Sequence, residues 1–460
     1  MPPTPAGAPG ALRHLLQGRV QRLSGWGRFP QVACHLLTPS TTSEAVTACQ
    51  TASSLIARGN GRSYGDSALN AAATVSTLRL NRLLAFDDAT GLLTAEAGLT
   101  LDDLLSLMVP RGWFPPVTPG TRFVTLGGMV AADVHGKNHH VDGSFGNHVT
   151  CLELLLSDGQ VVSCAATENA ELFFATIGGM GLTGVILTVT LRLRRIETPW
   201  ILQETIRCGD LDETMGCFVD SASWTYSVAW IDCLATGTHR GRSLLYRGEH
   251  ALRDSLPDRL RCSVIQVPET RRLRVPYDLP SWTLNGWTIR AFNEVYFRRS
   301  RLGQRLVDYE TFFYPLDAIL EWNRIYGARG FVQYQCVMPD STSRQGLLSL
   351  LEVISTARAG SFLAVLKQFG QQGPGLLSFP MPGYTLALDF SATAATFSLL
   401  LHLDRIVTEC GGRLYLAKDA RMGAELMRRS YPGFERFRAI RQLHDPQRHH
   451  RSFLSERLDL

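Results

Sequence analysis

The chain has 460 residues, more than a single hydrophobic core of about 250–300 residues accommodates, so two domains are expected. Hydrophobic residues make up 45% and charged residues 19%, a folding composition that excludes a disordered chain. A net charge of +5 fits an anionic small ligand or an acidic membrane surface and falls short of a nucleic-acid footprint.

Residues 1–15 are rich in Pro, Gly and Ala and read as a flexible tail; no basic-then-apolar architecture marks Sec export. Residues 42–50 open like a capped helix, 92–97 read as a strand, and 100–108 read as a second capped helix. Between them lies RGNGRSYGD at 58–66. Its alternating glycines offer a nest of backbone N–H groups suited to a pyrophosphate, with a plain surface turn as the alternative. A second glycine-rich loop, GTRFVTLGG at 120–128, feeds DVHGKNHH at 133–140. The H-x-x-x-H-H spacing raises a metal site, but only Asp133 stands near as a further ligand, and Gly136 argues against a helix presenting both histidines. Polar lining of a ligand site is the better reading, and no metal is expected.

Residues 172–191 are uncharged over a length that could cross a bilayer. Four glycines, four threonines and a β-branched second half argue instead for a turn and a strand. Within this stretch GMGLTG at 179–184 matches the dinucleotide fingerprint by letter. That fingerprint needs a strand before it and a helix after it; here a helix-like 168–176 precedes and a strand-like 185–193 follows, so the Rossmann reading fails. Its glycines still place backbone close to something flat.

After residue 197 the chain turns to aromatic-rich strands, as at 224–230 and 331–337, with helical runs such as 345–358. Residues 253–290 carry many Arg and Pro with little periodicity and read as a mobile basic loop. From 411 the sequence is again Gly-rich and helical. Ten cysteines occur without any C-x-x-C, which points to reduced, mostly buried thiols.

Taken in order, RGNGRSYGD, DVHGKNHHVDGSFGNH at 133–148 and GGMGLTG at 178–184 resemble the decaprenylphosphoryl-β-D-ribose oxidase family, within the vanillyl-alcohol-oxidase-type FAD-binding superfamily. RLSGWGR at 22–28, LSFPMPGY at 377–384 and GGRLYLAKD at 411–419 extend the resemblance over nearly the whole chain. The HGKNHH and GRLYLAKD strings are specific; the glycine loops alone are not.

The resemblance implies an α+β flavoprotein of two domains. A bipartite FAD-binding domain would comprise 16–197 and 411–460, and a substrate domain with an antiparallel sheet flanked by helices would comprise 198–410. It implies FAD held by Arg58, Asn60, Gly61, Arg62, Ser63, Tyr64 and Gly65, then by Gly120, Thr121, Thr125, Gly127 and Gly128. Asp133, His135, Gly136, Asn138, Gly181, Gly184, Val185, Tyr415 and Lys418 complete that set. Lys418, His135 and Tyr64 would be catalytic. Lys137, Gln333, Gln335, Lys367, Thr385 and Ala387 would meet the substrate, strand alternation aiming one set inward.

The family's covalent members attach FAD through a His or Cys in the first glycine loop, and this loop has neither, so non-covalent FAD is expected. Thr385 stands where the family carries Asn and Ala387 where it carries Cys, which alters the pocket wall but not the hydride chemistry. His135, Lys418 and water are each able to take the hydroxyl proton.

The implied activity is oxidation of a polyprenylphosphoryl-β-D-ribose at C2, with a short-chain reductase completing an epimerisation. The implied setting is bacterial, cytoplasmic or peripheral to a membrane. Arg259, Arg261, Arg271 and Arg272 in the basic loop would meet the lipid-linked sugar phosphate and an anionic bilayer, the alternative being a solvated loop. An aldonolactone or sugar-alcohol oxidase is the rival enzyme. A non-catalytic flavin-binding sensor or scaffold is the rival of another class.

Overall fold

The computed structural model describes residues 19–261, 272–280 and 283–460. The expected tail at 1–15, Arg271 and the side chain of Arg259 lie outside the described residues.

The first half builds two sheets. Arg19–Ser24, Gln31–Leu37, Thr74–Ser76 and Ile56–Arg58 pair in that spatial order, the last two parallel. A five-stranded antiparallel sheet follows in the order Leu83–Asp87, Leu92–Glu96, Val185–Arg192, Val149–Leu155, Val161–Ala165. The two capped helices form where their caps place them. Thr41 accepts from the Glu44 N–H to open Thr42–Thr51, and Thr100 accepts from the Asp103 N–H to open Leu101–Met108. Residues 172–191 fold as the end of helix Ala170–Thr176, a glycine turn and the strand Val185–Arg192. No helix among the described residues is long and apolar enough to cross a membrane.

The second half is dominated by one antiparallel sheet of eight strands. Its order is Gly303–Asp308, Trp200–Cys208, Ser243–His250, Tyr226–Ile231, Ala364–Phe369, Gly383–Ser391, Phe331–Pro339 and Arg413–Leu414. Alternation divides each strand between two environments. Val332, Tyr334 and Cys336 are buried on the side covered by the helices Asp340–Thr356 and Ala394–Glu409, while Gln333 and Gln335 face the other way, toward a cavity.

Within the expected loop at 253–290 the described residues are only partly irregular. Leu273–Arg274 pairs parallel with Ile319–Leu320, and 286–290 open the helix Gly286–Arg299. Asn285 explains that start: its side-chain oxygen accepts from the Trp287 and Thr288 N–H groups, a capping signal hidden in an Arg/Pro-rich stretch. Beyond Arg413–Leu414 the chain returns to the first half. Arg457 pairs at 2.7 Å with both Asp66 and Asp419, and His450 bridges Leu55. The C-terminal segment thus closes on the first glycine loop.

Candidate active site

A cavity of about 610 Å³ lies between the first-half loops and the open face of the large sheet. One wall is backbone. Gly59 to Tyr64, Gly120, Thr121, Thr125, Gly127, Gly128, Gly181 and Gly184 all line it. A Cβ on Gly120 would meet nothing within 4 Å, and one on Gly128 or Gly181 would meet only Thr125 Oγ1 at 3.1 Å or Ile56 Cδ1 at 3.6 Å. Gly120 thus has open space where a side chain would stand and Gly181 an uncrowded position, a cradle for a large flat ligand.

Side chains tie the two loops together at one end. The Asn60 amide donates to the Phe123 carbonyl at 2.8 Å, and the Arg62 guanidinium lies 4.2 Å from the Trp26 ring and 5.1 Å from the Phe123 ring. Arg62 Nε is buried with no partner in the protein. A buried guanidinium with a free donor is suited to a phosphate oxygen. Backbone N–H groups, an orphan arginine donor and the glycine cradle together fit the pyrophosphate and ring system of FAD.

The opposite wall carries the titratable groups. Register brings Gln335, Ala387 and Val365 into one row across three strands, and Thr385 and Lys367 into the next. Gln335 Nε2 donates to Thr385 Oγ1 at 3.2 Å and lies 3.0 Å from His135 Nε2, which leaves the ring nitrogen as the acceptor. His135 Nδ1 has no partner. Burial, then the nearby Lys367, His139 and Lys418, pushes the His135 pKa well below the usual range, so the ring is neutral.

Three lysines reach the same space. Burial lowers Lys367 to about 8, and burial with Lys367 lowers Lys137 to about 7. Lys418 is also lowered, by burial first, with Asp389 acting against it and Lys367 with it. Its Nζ stands 3.9 Å from the centre of the Tyr64 ring. The Lys137 amine donates to the Phe312 carbonyl and lies 4.3 Å from the Phe312 ring.

Six expected cofactor residues are not part of the cavity lining, for local reasons. Arg58 turns back to donate to the Ser24 carbonyl. Gly65 abuts the chain at Asp419, where a Cβ would come within 1.8 Å of the carbonyl. Asp133 is fully buried, accepting from Ser144, Ser378 and the Gly146 N–H. At Gly136 a Cβ would strike Asn138 Oδ1, and Asn138 itself donates to the Pro116 carbonyl and to Asp142. Val185 faces the small core around Leu37 and Leu55, and its neighbour Ile186 meets the cavity in its place. The histidines diverge too: His139 Nδ1 accepts from the Gly370 N–H and His140 contacts the Trp224 carbonyl, which dissolves the metal-like spacing.

Asp389 was missed by sequence reasoning. It follows Thr385 and Ala387 at a spacing of two, so alternation alone points it at the same face. It accepts from Gln333 Nε2 at 2.6 Å, its Oδ2 has no partner, and burial raises its pKa. Asp389 stands behind Gln333 and outside the lining, whereas Trp26 and Trp230 line the cavity itself, reached only through tertiary packing.

Comparison with known proteins points to the same cofactor. A family model described as an FAD binding domain matches residues 33–165. A decaprenylphosphoryl-beta-D-ribose oxidase of Mycolicibacterium smegmatis is 40% identical over 450 residues, covering 96% of this chain and 98% of its own. An uncharacterized Streptomyces coelicolor protein is 35% identical over 79% of this chain and all of its own. L-gulonolactone oxidase of Mus musculus is 33% identical over 29% of this chain and 30% of its own.

Proposed function

The chain belongs to the decaprenylphosphoryl-β-D-ribose oxidase family of FAD-binding proteins, and from that premise we propose that it oxidises the C2 hydroxyl of a polyprenylphosphoryl-β-D-ribose to the 2-keto sugar. The observation that carries this reading is the convergence of Lys137, Lys367 and Lys418 with a neutral His135 on one cavity whose other wall is a glycine cradle. Buried amines able to carry charge suit a phosphorylated, polar substrate better than a free sugar.

FAD, bound without a covalent link, supplies the two-electron acceptor for the hydride of the carbinol carbon. The protein's own contribution is position and charge. The polar wall of Gln333, Gln335, Thr385 and Lys367 would hold the sugar hydroxyls and orient the reacting carbon toward the glycine wall. Lys418, braced over the Tyr64 ring, places positive charge where negative charge develops during oxidation. Its lowered pKa also lets Nζ exchange a proton near neutral pH. The keto product then requires a separate reductase to complete an epimerisation.

Anaerobic mixing with a soluble farnesylphosphoryl-β-D-ribose tests this. Flavin absorbance should bleach with that compound and stay unchanged with free ribose or an aldonolactone. Bleaching by the lactone alone would make the protein an aldonolactone oxidase, and a yellow protein bleached by none would be a flavin-binding scaffold.

A further inference from the structure

Exposed apolar side chains are unevenly spread over the described residues. Of eighteen large ones, eight lie between 252 and 319, and so do all three aromatics, Tyr277, Trp287 and Phe292. The helix Gly286–Arg299 concentrates them. Its inner face is fixed: Ile289 and Asn293 are buried, Asn293 donates to Asp232 at 2.7 Å, and Tyr296 pairs with Tyr246 at 2.8 Å while lining the cavity. Its outer face should be polar on an ordinary surface helix. Instead Trp287, Ala291 and Val295 recur every four residues there, with Phe292 alongside, and Trp287 is 79% and Val295 53% exposed.

Cations surround this face. Arg290, Arg298 and Arg299 belong to the same helix, and its one acid, Glu294, is held by Arg242 and Arg298. A second edge of the same cavity repeats the combination. Leu273 is 63% and Ile319 38% exposed on the Leu273–Arg274 and Ile319–Leu320 pair, where Arg272 lies 5.6 Å from the Phe123 ring and Arg274 lines the cavity. The exposed-edge acids among the described residues are engaged by arginine, Glu321 by Arg274 and Arg324 and Asp278 by Arg28 and Arg324.

Apolar depth ringed by arginine has one occupant that satisfies both parts. Trp, Phe and Val enter the acyl boundary of a bilayer while guanidinium groups meet its anionic headgroups. We propose that the outward face of helix Gly286–Arg299, with the Leu273–Arg274 edge, docks the protein on an anionic lipid surface with the cavity mouth toward the bilayer. This rests on the reading of a lipid-linked substrate, whose polyprenyl chain then stays in lipid while its sugar phosphate enters between the two edges.

The test uses the FAD-loaded protein and vesicles of phosphatidylglycerol with phosphatidylcholine, or of phosphatidylcholine alone. Co-sedimentation should occur with the anionic vesicles and weaken in high salt. The double variant Trp287→Ser/Val295→Ser should bind at least about tenfold more weakly, and Arg298→Gln/Arg299→Gln about tenfold or more, each charge contributing separately. Both variants should bleach with the soluble farnesyl analogue at the wild-type rate, and slow only on long-chain substrate embedded in vesicles. Wild-type protein that stays in solution, or variants that bind vesicles as wild type does, would overturn the docking surface. So would a variant whose one change is loss of self-association, which would make the face a contact between copies. Failure of every form to bleach with the soluble analogue would instead reject the substrate reading itself.

Discussion

Three lysines and a neutral histidine share one cavity, and burial weakens the charge of each lysine. Because burial lowers Lys367 to about 8 and Lys137 to about 7, their ammonium forms are lost as pH rises through 7 to 8. An anionic substrate binds the ammonium form, so KM for the phosphorylated sugar should rise between pH 7 and pH 9, by up to about tenfold per unit for each lysine the phosphate meets. Steady-state KM across that range checks the sign. Lys418→Met should leave the flavin spectrum intact and slow anaerobic bleaching by about 10²–10⁴-fold, with Lys418→Arg recovering part of the loss through charge alone. Asp389 works on Lys418 from behind, its carboxylate favouring the ammonium. In Asp389→Asn that support is gone, and the Lys418 limb of the bleaching profile should move to lower pH by about one unit. A limb that does not move would show that the two groups do not interact.

The glycine loops were legible because a backbone that must lie against a ligand leaves few residue choices, and those choices survive in the one-dimensional string. Gly120 tests that reading. With open space beyond its missing Cβ, Gly120→Leu should fold with native circular dichroism yet purify colourless, its side chain occupying the cofactor's place. At Gly98 a Cβ would come within 1.8 Å of the Thr77 carbonyl, so Gly98→Ala should instead lower yield and melting temperature. The strand wall was legible for the same kind of reason, since Gln333 with Gln335 and Thr385 with Ala387 obey a period of two. That period also gives Asp389, a residue a motif comparison passes over. The lining departs from the expected set where proximity in sequence stood in for direction in space. Val185 and Ile186 are neighbours that face different cores. Arg58, Asp133 and Asn138 sit inside motif strings but spend their polar atoms on the fold. Trp26 and Trp230 join the site only because distant chain segments pack together, which no local pattern reports.

Over the whole molecule, the buried ionisable groups make stability depend on pH in a direction that can be worked out. His135 and His139 are 6% and 1% exposed, and burial depresses both, His139 to about 3. Above their unfolded value near 6.5 neither state is protonated and they contribute no pH dependence. Below it the unfolded chain takes up protons that the folded protein refuses, so stability falls by up to about 1.4 kcal/mol per pH unit for each. Asp389 acts in the opposite sense. Its pKa is raised to about 7, so below that pH the folded state binds a proton that the unfolded carboxylate does not. His250, also lowered by burial to about 4, acts with His135 and His139, so proton uptake by the histidines of the unfolded chain outweighs that carboxylate and stability falls between pH 6.5 and pH 5. The melting temperature at saturating FAD should therefore drop across this interval. His139→Asn keeps an acceptor for the Gly370 N–H through Oδ1 and removes one titrating group, so its melting temperature should fall less steeply over the same interval. A variant that lost stability as steeply as the wild type would show that His139 is not the residue whose protonation the fold resists.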